Sequence, residues 1–503
     1  MTRDDGFRIS RREFVGSVAG TFAGLVGLPA LASVRELVEK EKLNVLFIMS
    51  DQHNARALGC YGNPDVLTPN LDGLARDGVR FDKAFCQTPQ SCPSRMSILT
   101  GRYAHSHGLR SNGVLEPEEE TTTADILRES GYSTGAIGKM HVFSRLSKLG
   151  FDHQVDMIEY LAFLKKEGQP NFMASGDWLD FKISGPVGIS HADNDHHRPG
   201  FWASETVKFL RANRERPFCA WYSFYGPHTP ITPSRKWGEM YDPAKLTLPG
   251  NFDSRPEKVS WRMEAAHRNF RKMDELDHRR TLAYYYGLVS QIDYNIGTVL
   301  DELERLGLAE RTLVIYTADH GEMMAEHGTW TKGTGCFDAT VRVPLILRLP
   351  GVLSKGKTVS ELVGSIDLMA TILEMTGQRV PDKVQGKSLL PLTKGESVKW
   401  RDVIFSEGGY PGRGHGVSTM ARTQTHKYVR HTRGEQLFEE LFDLERDPWE
   451  RDNKAEDPDY ADVKGELIKA MDEWEANTDH APMYPILSKE KQKEYREHPE
   501  RRP

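Results

Sequence analysis

Val45-Leu46-Phe47-Ile48-Met49, flanked by Asn44 and Ser50, is a continuous apolar run of strand length that ends in Asp51-Gln52-His53. A strand reads this way when it is buried on both faces, which calls for helices on either side of a largely parallel sheet. In open sheets of that kind, ligands bind beyond the carboxyl ends of the strands. Asp51 is therefore a candidate metal ligand, although an aspartate after a strand also serves as a helix cap, and the run alone does not separate the two roles.

The pattern repeats. Strands are predicted over Ser133–Ile137, followed by Gly138-Lys139-Met140-His141; over Phe218–Phe224, followed by Gly226-Pro227-His228-Thr229-Pro230; and over Thr312–Tyr316, followed by Thr317-Ala318-Asp319-His320-Gly321-Glu322. Single strands are also predicted over Val79–Phe85 and Val343–Leu347, and helices over 68–78, 123–131, 202–213, 282–306, 367–376 and 460–478. This alternation predicts an α/β sandwich, with Asp51, Lys139, His141, His228, Asp319 and His320 gathered at one sheet edge. The 503 residues exceed what one simple core serves, so a main domain with a smaller companion is expected.

Ser91-Cys92-Pro93-Ser94-Arg95 sits where the chain passes from a loop to a helix predicted over Pro93–Leu99, since Pro93 suits a first helical turn. Ser91 then lies at the helix N-terminus, where free N–H groups favour an anion, and Arg95 one turn later can face the same spot. Taken alone, this is equally the cap of an ordinary helix. The His191–His197 stretch could bind metal or substrate, but without helical spacing it reads better as a solvated loop in an insertion over 144–199.

The formal net charge of −6 offers no footprint for nucleic acid. Five scattered cysteines with no C-x-x-C pair indicate neither a disulfide framework nor a zinc ribbon. At the N-terminus, Ser10-Arg11-Arg12-Glu13-Phe14 precedes a weakly apolar, Gly-rich run and Ala30-Leu31-Ala32. Residues 1–32 thus read as a twin-arginine export signal, which implies a translocase partner and a periplasmic or secreted destination.

The motifs S-x-P-S-R-x-x-x-L-T-G-R from Ser91, G-K-M-H from Gly138, and D-H-G-E, W-x-K-G and R-V-P-L between Asp319 and Leu345 resemble those of the type I sulfatases of the alkaline phosphatase superfamily. The resemblance covers Leu43 to Asn453. It implies a large mixed sheet sandwiched by helices, with a catalytic domain over 43–376, a small antiparallel-sheet subdomain over 377–480, and a charged, frayed tail over 481–503. In that family the first motif residue, here Ser91, is oxidised to formylglycine; a Ser-type motif implies a radical maturase acting before export. The proline two residues on assigns the role to Ser91 and not to Cys92.

The resemblance further implies a divalent cation held by Asp51, Ser91, Asp319 and His320, with Gln52 standing where many members carry a second carboxylate. Arg95, Lys139, His141, His228 and Lys332 take the remaining catalytic places. The Asp-Gln and Asp-His pairings look more like the choline sulfatase and phosphonate monoester hydrolase branches. Oxygen ligands favour Ca²⁺, and Mg²⁺ or, with an imidazole present, Mn²⁺ also fit. Arg56, His105, His107 and Arg110 lie beside the motifs and are candidates for contacting a sulfated small molecule or glycan, a surface role suiting each as well. Two alternatives stand beside a sulfatase: a phosphate or phosphonate ester hydrolase, and a non-catalytic protein that binds sulfated glycans.

Overall fold

The computed structural model describes residues 42–501 except 116–119, 143, 145, 173–174, 257, 410–413, 415, 483 and 499–500. The export signal expected over 1–32 lies outside the described residues. Among those described, no helix is long and apolar enough to cross a membrane.

Eight strands form the main sheet: β1 (Asn44–Asp51), β2 (Val79–Phe81), β3 (Ser133–Gly138), β4 (His153–Val155), β5 (Phe218–Pro227), β6 (Thr312–Ala318), β7 (Leu345–Arg348) and β8 (Lys357–Val359). Their order is β8-β2-β7-β6-β1-β5-β3-β4, which puts the opening apolar run near the middle. β1 runs parallel to both neighbours, with Phe47 opposite Trp221 and Ile315. β3 and β4 continue in parallel, while β7 runs antiparallel to β6 and β2.

Because side chains alternate along a strand, β1 feeds two cores. Val45, Phe47 and Met49 pack under the helices Ser91–Thr100, Thr123–Glu129 and Asp367–Met375. Leu46 and Ile48 pack on the opposite side against Pro69–Asp77, Arg198–Ala212 and the long helix Glu275–Arg305. Phe47 stacks on Trp221 with ring centres 3.9 Å apart. Burial on both faces explains why β1 lacks a polar face. β1, β3, β5 and β6 are parallel, so Asp51, Lys139, His228 and Asp319 emerge at one edge.

Several predicted elements differ in detail. Val79–Phe85 is two strands: Ala84–Phe85 leaves the main sheet and pairs with Arg342–Val343 and Val363–Gly364. Val343–Leu347 likewise divides at Pro344, which has no N–H for a ladder. The 144–199 insertion carries a helix, Met157–Lys166, and a two-stranded ribbon of Gly176–Lys182 and Pro186–Ser190.

The C-terminal sheet is antiparallel and sequential: β9 (Ile404–Gly409), β10 (Val417–Arg422), β11 (His426–Arg433) and β12 (Gln436–Asp443). Leu467, Met471 and Trp474 of the Ala461–Ala476 helix cover one face through Ala421, Tyr428 and Leu441. From the other face the wholly buried Lys427 reaches Asp338 (3.1 Å), the Cys336 carbonyl (2.9 Å) and Glu450. The tail is not frayed throughout. Ala481 and Leu487 donate backbone hydrogen bonds to His105 and Gly113, and Ser488 caps a helix over Lys489–Glu497.

Candidate active site

The helix Ser91–Thr100 is buried along its whole length, with Gln90 as its cap and Gly101 closing it in the left-handed conformation (φ 66°). That places Ser91 in the first turn, slightly earlier than predicted, with its hydroxyl at the sheet edge. Ser91 Oγ lies 3.2 Å from Asp51 Oδ2 and 3.1 Å from His320 Nε2. His320 Nδ1 faces the Gly321 carbonyl at 2.9 Å. A carbonyl only accepts, so the neutral ring carries its proton on Nδ1 and turns the Nε2 lone pair toward Ser91.

Arg95 ties the two carboxylates together: Nη2 donates to Asp51 Oδ2 (2.9 Å) and Nε to Asp319 Oδ2 (3.0 Å). Its Nη1 donates to Ser223 Oγ at 2.8 Å and to the Lys139 carbonyl. Lys139 Nζ is 2.6 Å from Asp51 Oδ2. Asp319 Oδ1 accepts the backbone N–H groups of Gln52 (3.0 Å) and His320 (2.9 Å). Asp51 Oδ1 is buried and has no hydrogen-bond partner among the described residues. One ligand atom each from Asp51, Asp319 and His320 falls within 4.8 Å of the others. An orphaned carboxylate oxygen inside a cluster of acceptors fits a divalent cation of the oxygen-preferring class with one imidazole.

The electrostatics agree with that fit. Burial works against the Asp51 charge, yet Lys139, His228, Arg95 and Lys332 hold its carboxyl well below the usual range. Burial, and then the charge of Asp51, push Asp319 the other way. Two buried carboxylates this close cannot both ionise comfortably without added positive charge. Burial keeps His141 and His320 neutral, and pushes His228 down to about 3 with Lys332 adding to the effect. Lys332 itself is pushed down to about 8, again by burial.

Ser91, Arg95, Lys139, Asp51, Asp319 and His320 thus meet directly, and His141, His228 and Lys332 border them. Cys92 Sγ donates to the His141 carbonyl at 2.9 Å, which leaves Cys92 a packing role. Gln52 stands apart from the carboxylate cluster. Its Oε1 accepts Lys332 Nζ at 2.7 Å and its amide nitrogen donates to Glu322, so it orients Lys332 rather than joining the ligand set. Glu322, which also accepts the Thr331 N–H, was legible only as the last letter of D-H-G-E. Ser223 carried no sequence signal.

Three of the four substrate candidates are corrected by their partners. His105 is buried between Glu407 and Thr478, at 2.7 Å from each. His107 is buried, with Nδ1 accepting the Leu109 N–H and Nε2 facing Ser97 Oγ at 3.0 Å. Arg56 pairs with Glu326 and lies 4.3 Å from the Trp449 ring centre. Helix packing, invisible in linear order, turns these side chains inward. Arg110 differs: it lines a cleft of about 900 Å³ with Thr419, Arg430 and Arg433, and its Nε has no partner. In the His191–His197 loop, His191 contacts Asp177 (2.9 Å) and His196 contacts Asp193 (2.9 Å), without a convergent ligand group.

Residues 43–378 match the family model for sulfatases, and residues 325–477 match one described as N-sulphoglucosamine sulphohydrolase, C-terminal. An arylsulfatase of Clostridium perfringens is 30% identical over 86% of this chain and 94% of its own. An N-acetylglucosamine-6-O-sulfatase of Bacteroides thetaiotaomicron is 26% identical over 86% of each. Among solved structures, a phosphonate monoester hydrolase from Silicibacter pomeroyi superposes with a TM-score of 0.77 at 28% identity, covering 87% of this chain and 96% of that one. The chain belongs to the type I sulfatase family of the alkaline phosphatase superfamily and is a sulfuric ester hydrolase.

Proposed function

We propose that the chain is an exported sulfatase acting on a sulfate ester of a carbohydrate, with Ser91 oxidised to formylglycine and a divalent cation, Ca²⁺ ahead of Mn²⁺ or Mg²⁺, held by Asp51, Asp319 and His320. The observation that carries this reading is the Ser91 hydroxyl within 3.2 Å of both Asp51 and His320, beside an unsatisfied carboxylate oxygen. A cation bound there supplies charge that favours ionisation of a hydroxyl at residue 91 near neutral pH. The aldehyde, once hydrated, supplies two hydroxyls on one carbon, which gives the residue a way to release sulfate that plain serine lacks.

The chain's own residues do the rest. Arg95 holds Asp51 and Asp319 in fixed orientation. Lys139 and Lys332 place two desolvated ammonium groups where sulfate oxygens gain charge during transfer. Lys332, with its acidity brought to about 8, is suited to giving a proton to the departing alcohol. His228 assists in the same proton transfer, since its Nδ1 bonds the Thr229 carbonyl at 2.7 Å and leaves Nε2 for the leaving group. His141, kept neutral by burial and with a buried, unpartnered Nδ1, is the base for the second hydroxyl.

The carbohydrate assignment is supported by the loop-rich insertion over 144–199 and by the amino-sugar sulfatase among the relatives. Export is supported by the Arg11-Arg12 motif and the Ala30-Leu31-Ala32 site. The second reading is phosphonate ester hydrolysis, which the similarity to a phosphonate monoester hydrolase favours. Mass spectrometry of the Ser91 peptide from the native host decides the nucleophile: oxidation removes about 2 Da. Sulfate release from sulfated sugars should exceed phosphonate hydrolysis, and Ser91→Ala should abolish turnover with the fold intact. Unmodified Ser91 in a fully active enzyme that prefers phosphonates would overturn the proposal.

A further inference from the structure

Arg198 opens the Arg198–Ala212 helix and is 7% exposed. Arg95, a buried arginine of the same kind, meets two carboxylates; Arg198 meets none. No hydrogen bond or ion pair to its guanidinium exists among the described residues, and the titratable groups acting on it are the hydroxyls of Tyr160 and Tyr225. A buried cation without a counter-charge is costly, because it loses water and gains no partner. Such a group persists where an anion completes it in the working state.

Its position says which anion. The guanidinium carbon lies 5.6 Å from the Tyr225 ring centre, and Lys139 Nζ lies 5.7 Å from the same centre. Tyr225 is on β5, two residues beyond Ser223, whose hydroxyl holds Arg95 and whose carbonyl accepts the Lys139 N–H at 2.9 Å. Its ring is stacked on Trp202 of the Arg198 helix, 6.2 Å between centres. One aromatic ring therefore spaces the catalytic lysine from an unpaired arginine. The separation is at most the sum of the two ring distances, a span one sugar ring with charged substituents can bridge.

We infer that Arg198, set across Tyr225 from Lys139, is the subsite for a second anionic group, a sulfate or carboxylate, on a substrate whose scissile sulfate sits at Lys139. This rests on the sulfatase reading above and deepens it: the preferred substrate is at least a dianion beyond the hydrolysed bond's own neighbourhood, and Arg198 sets that preference.

The test compares wild type, Arg198→Gln, Arg198→Lys and Arg198→Met as full-length mature enzyme. Two probes differ in one charge: 4-carboxyphenyl sulfate and 4-nitrophenyl sulfate, followed by sulfate release. Binding of sucrose octasulfate is measured separately by calorimetry. In Arg198→Gln the carboxyl-to-nitro ratio of kcat/KM should fall at least about tenfold, through KM, and the octasulfate Kd should rise by a similar factor, as expected on losing one desolvated charge partner. Arg198→Lys should restore part of both. Arg198→Met should melt no lower than wild type without ligand, since it removes an unpaired buried charge, while losing the octasulfate response. An equal loss on both probes, an unchanged octasulfate Kd, or a Tm drop in Arg198→Met would overturn the inference. If wild type hydrolyses neither probe yet binds octasulfate through Arg198, the hydrolase reading fails and the subsite stands.

Discussion

The carboxylate pair allows the cation site to be tested without relying on turnover. Asp51 and Asp319 are both inaccessible, share Arg95, and leave Asp51 Oδ1 without a partner. A cation that binds only the folded chain stabilises it by about 2.7 kcal/mol at a hundred times its Kd, from mass action alone. Unfolding entropy of about 2.1 cal/mol/K per residue, over roughly 450 ordered residues, amounts to about 1 kcal/mol/K. The expected rise in Tm on adding cation to chelator-treated protein is thus about 3 °C, and about 4 °C at a thousand times Kd. Asp319→Asn removes one anionic ligand while its side-chain oxygen still accepts the Gln52 and His320 N–H groups. Its shift should fall below about 1 °C, whereas Asp177→Asn, at an exposed acidic group, should respond as wild type. Differential scanning calorimetry with Ca²⁺, Mn²⁺ and Mg²⁺ in turn measures this, and Ca²⁺ should give the largest shift. An undiminished shift in Asp319→Asn, or none in wild type with any of the three ions, would refute the assignment of the ligands.

Lys427→Met leaves Asp338 and Glu450 buried without their shared ammonium and should cost about 3–5 kcal/mol, read as a lower urea midpoint; a change under about 1 kcal/mol would show that the C-terminal sheet docks without it. Burial pushes His107, His197 and His327 down to about 3 from an ordinary 6.5, so the folded state binds fewer protons than the unfolded state between those values. Stability should therefore fall as pH drops below about 6.5, by about 2 kcal/mol per histidine at pH 5, and a urea midpoint unchanged from pH 7 to 5 would contradict it.

The parallel strands were legible because each carries its own local signal. Val45–Met49 had to be buried on both faces, and its parallel neighbours then forced Asp51, Lys139, His228 and Asp319 to one edge. Motif spacing singled out Ser91 over Cys92, and the contacts of Cys92 are those of a packed thiol. What stayed hidden depends on side-chain direction. His105 and His107 lie as close to the Ser91 motif in sequence as Arg110 does, yet packing turns both inward. The two breaks at 82–83 and Pro344 move short segments into a second sheet, a matter of tertiary pairing beyond any local periodicity.

The sequence by itself determined the α/β class, the strand-end placement of the reactive groups, and the residues that form the carboxylate–imidazole cluster, because these follow from burial period and motif spacing. Only the tertiary structure decided that Gln52 serves Lys332, that Arg95 clamps both carboxylates, and that Arg198 stands uncompensated near Lys139. The reason is physical: a side chain's charge is written in the sequence, but whether that charge is paired, shielded or left waiting depends on what the fold brings against it.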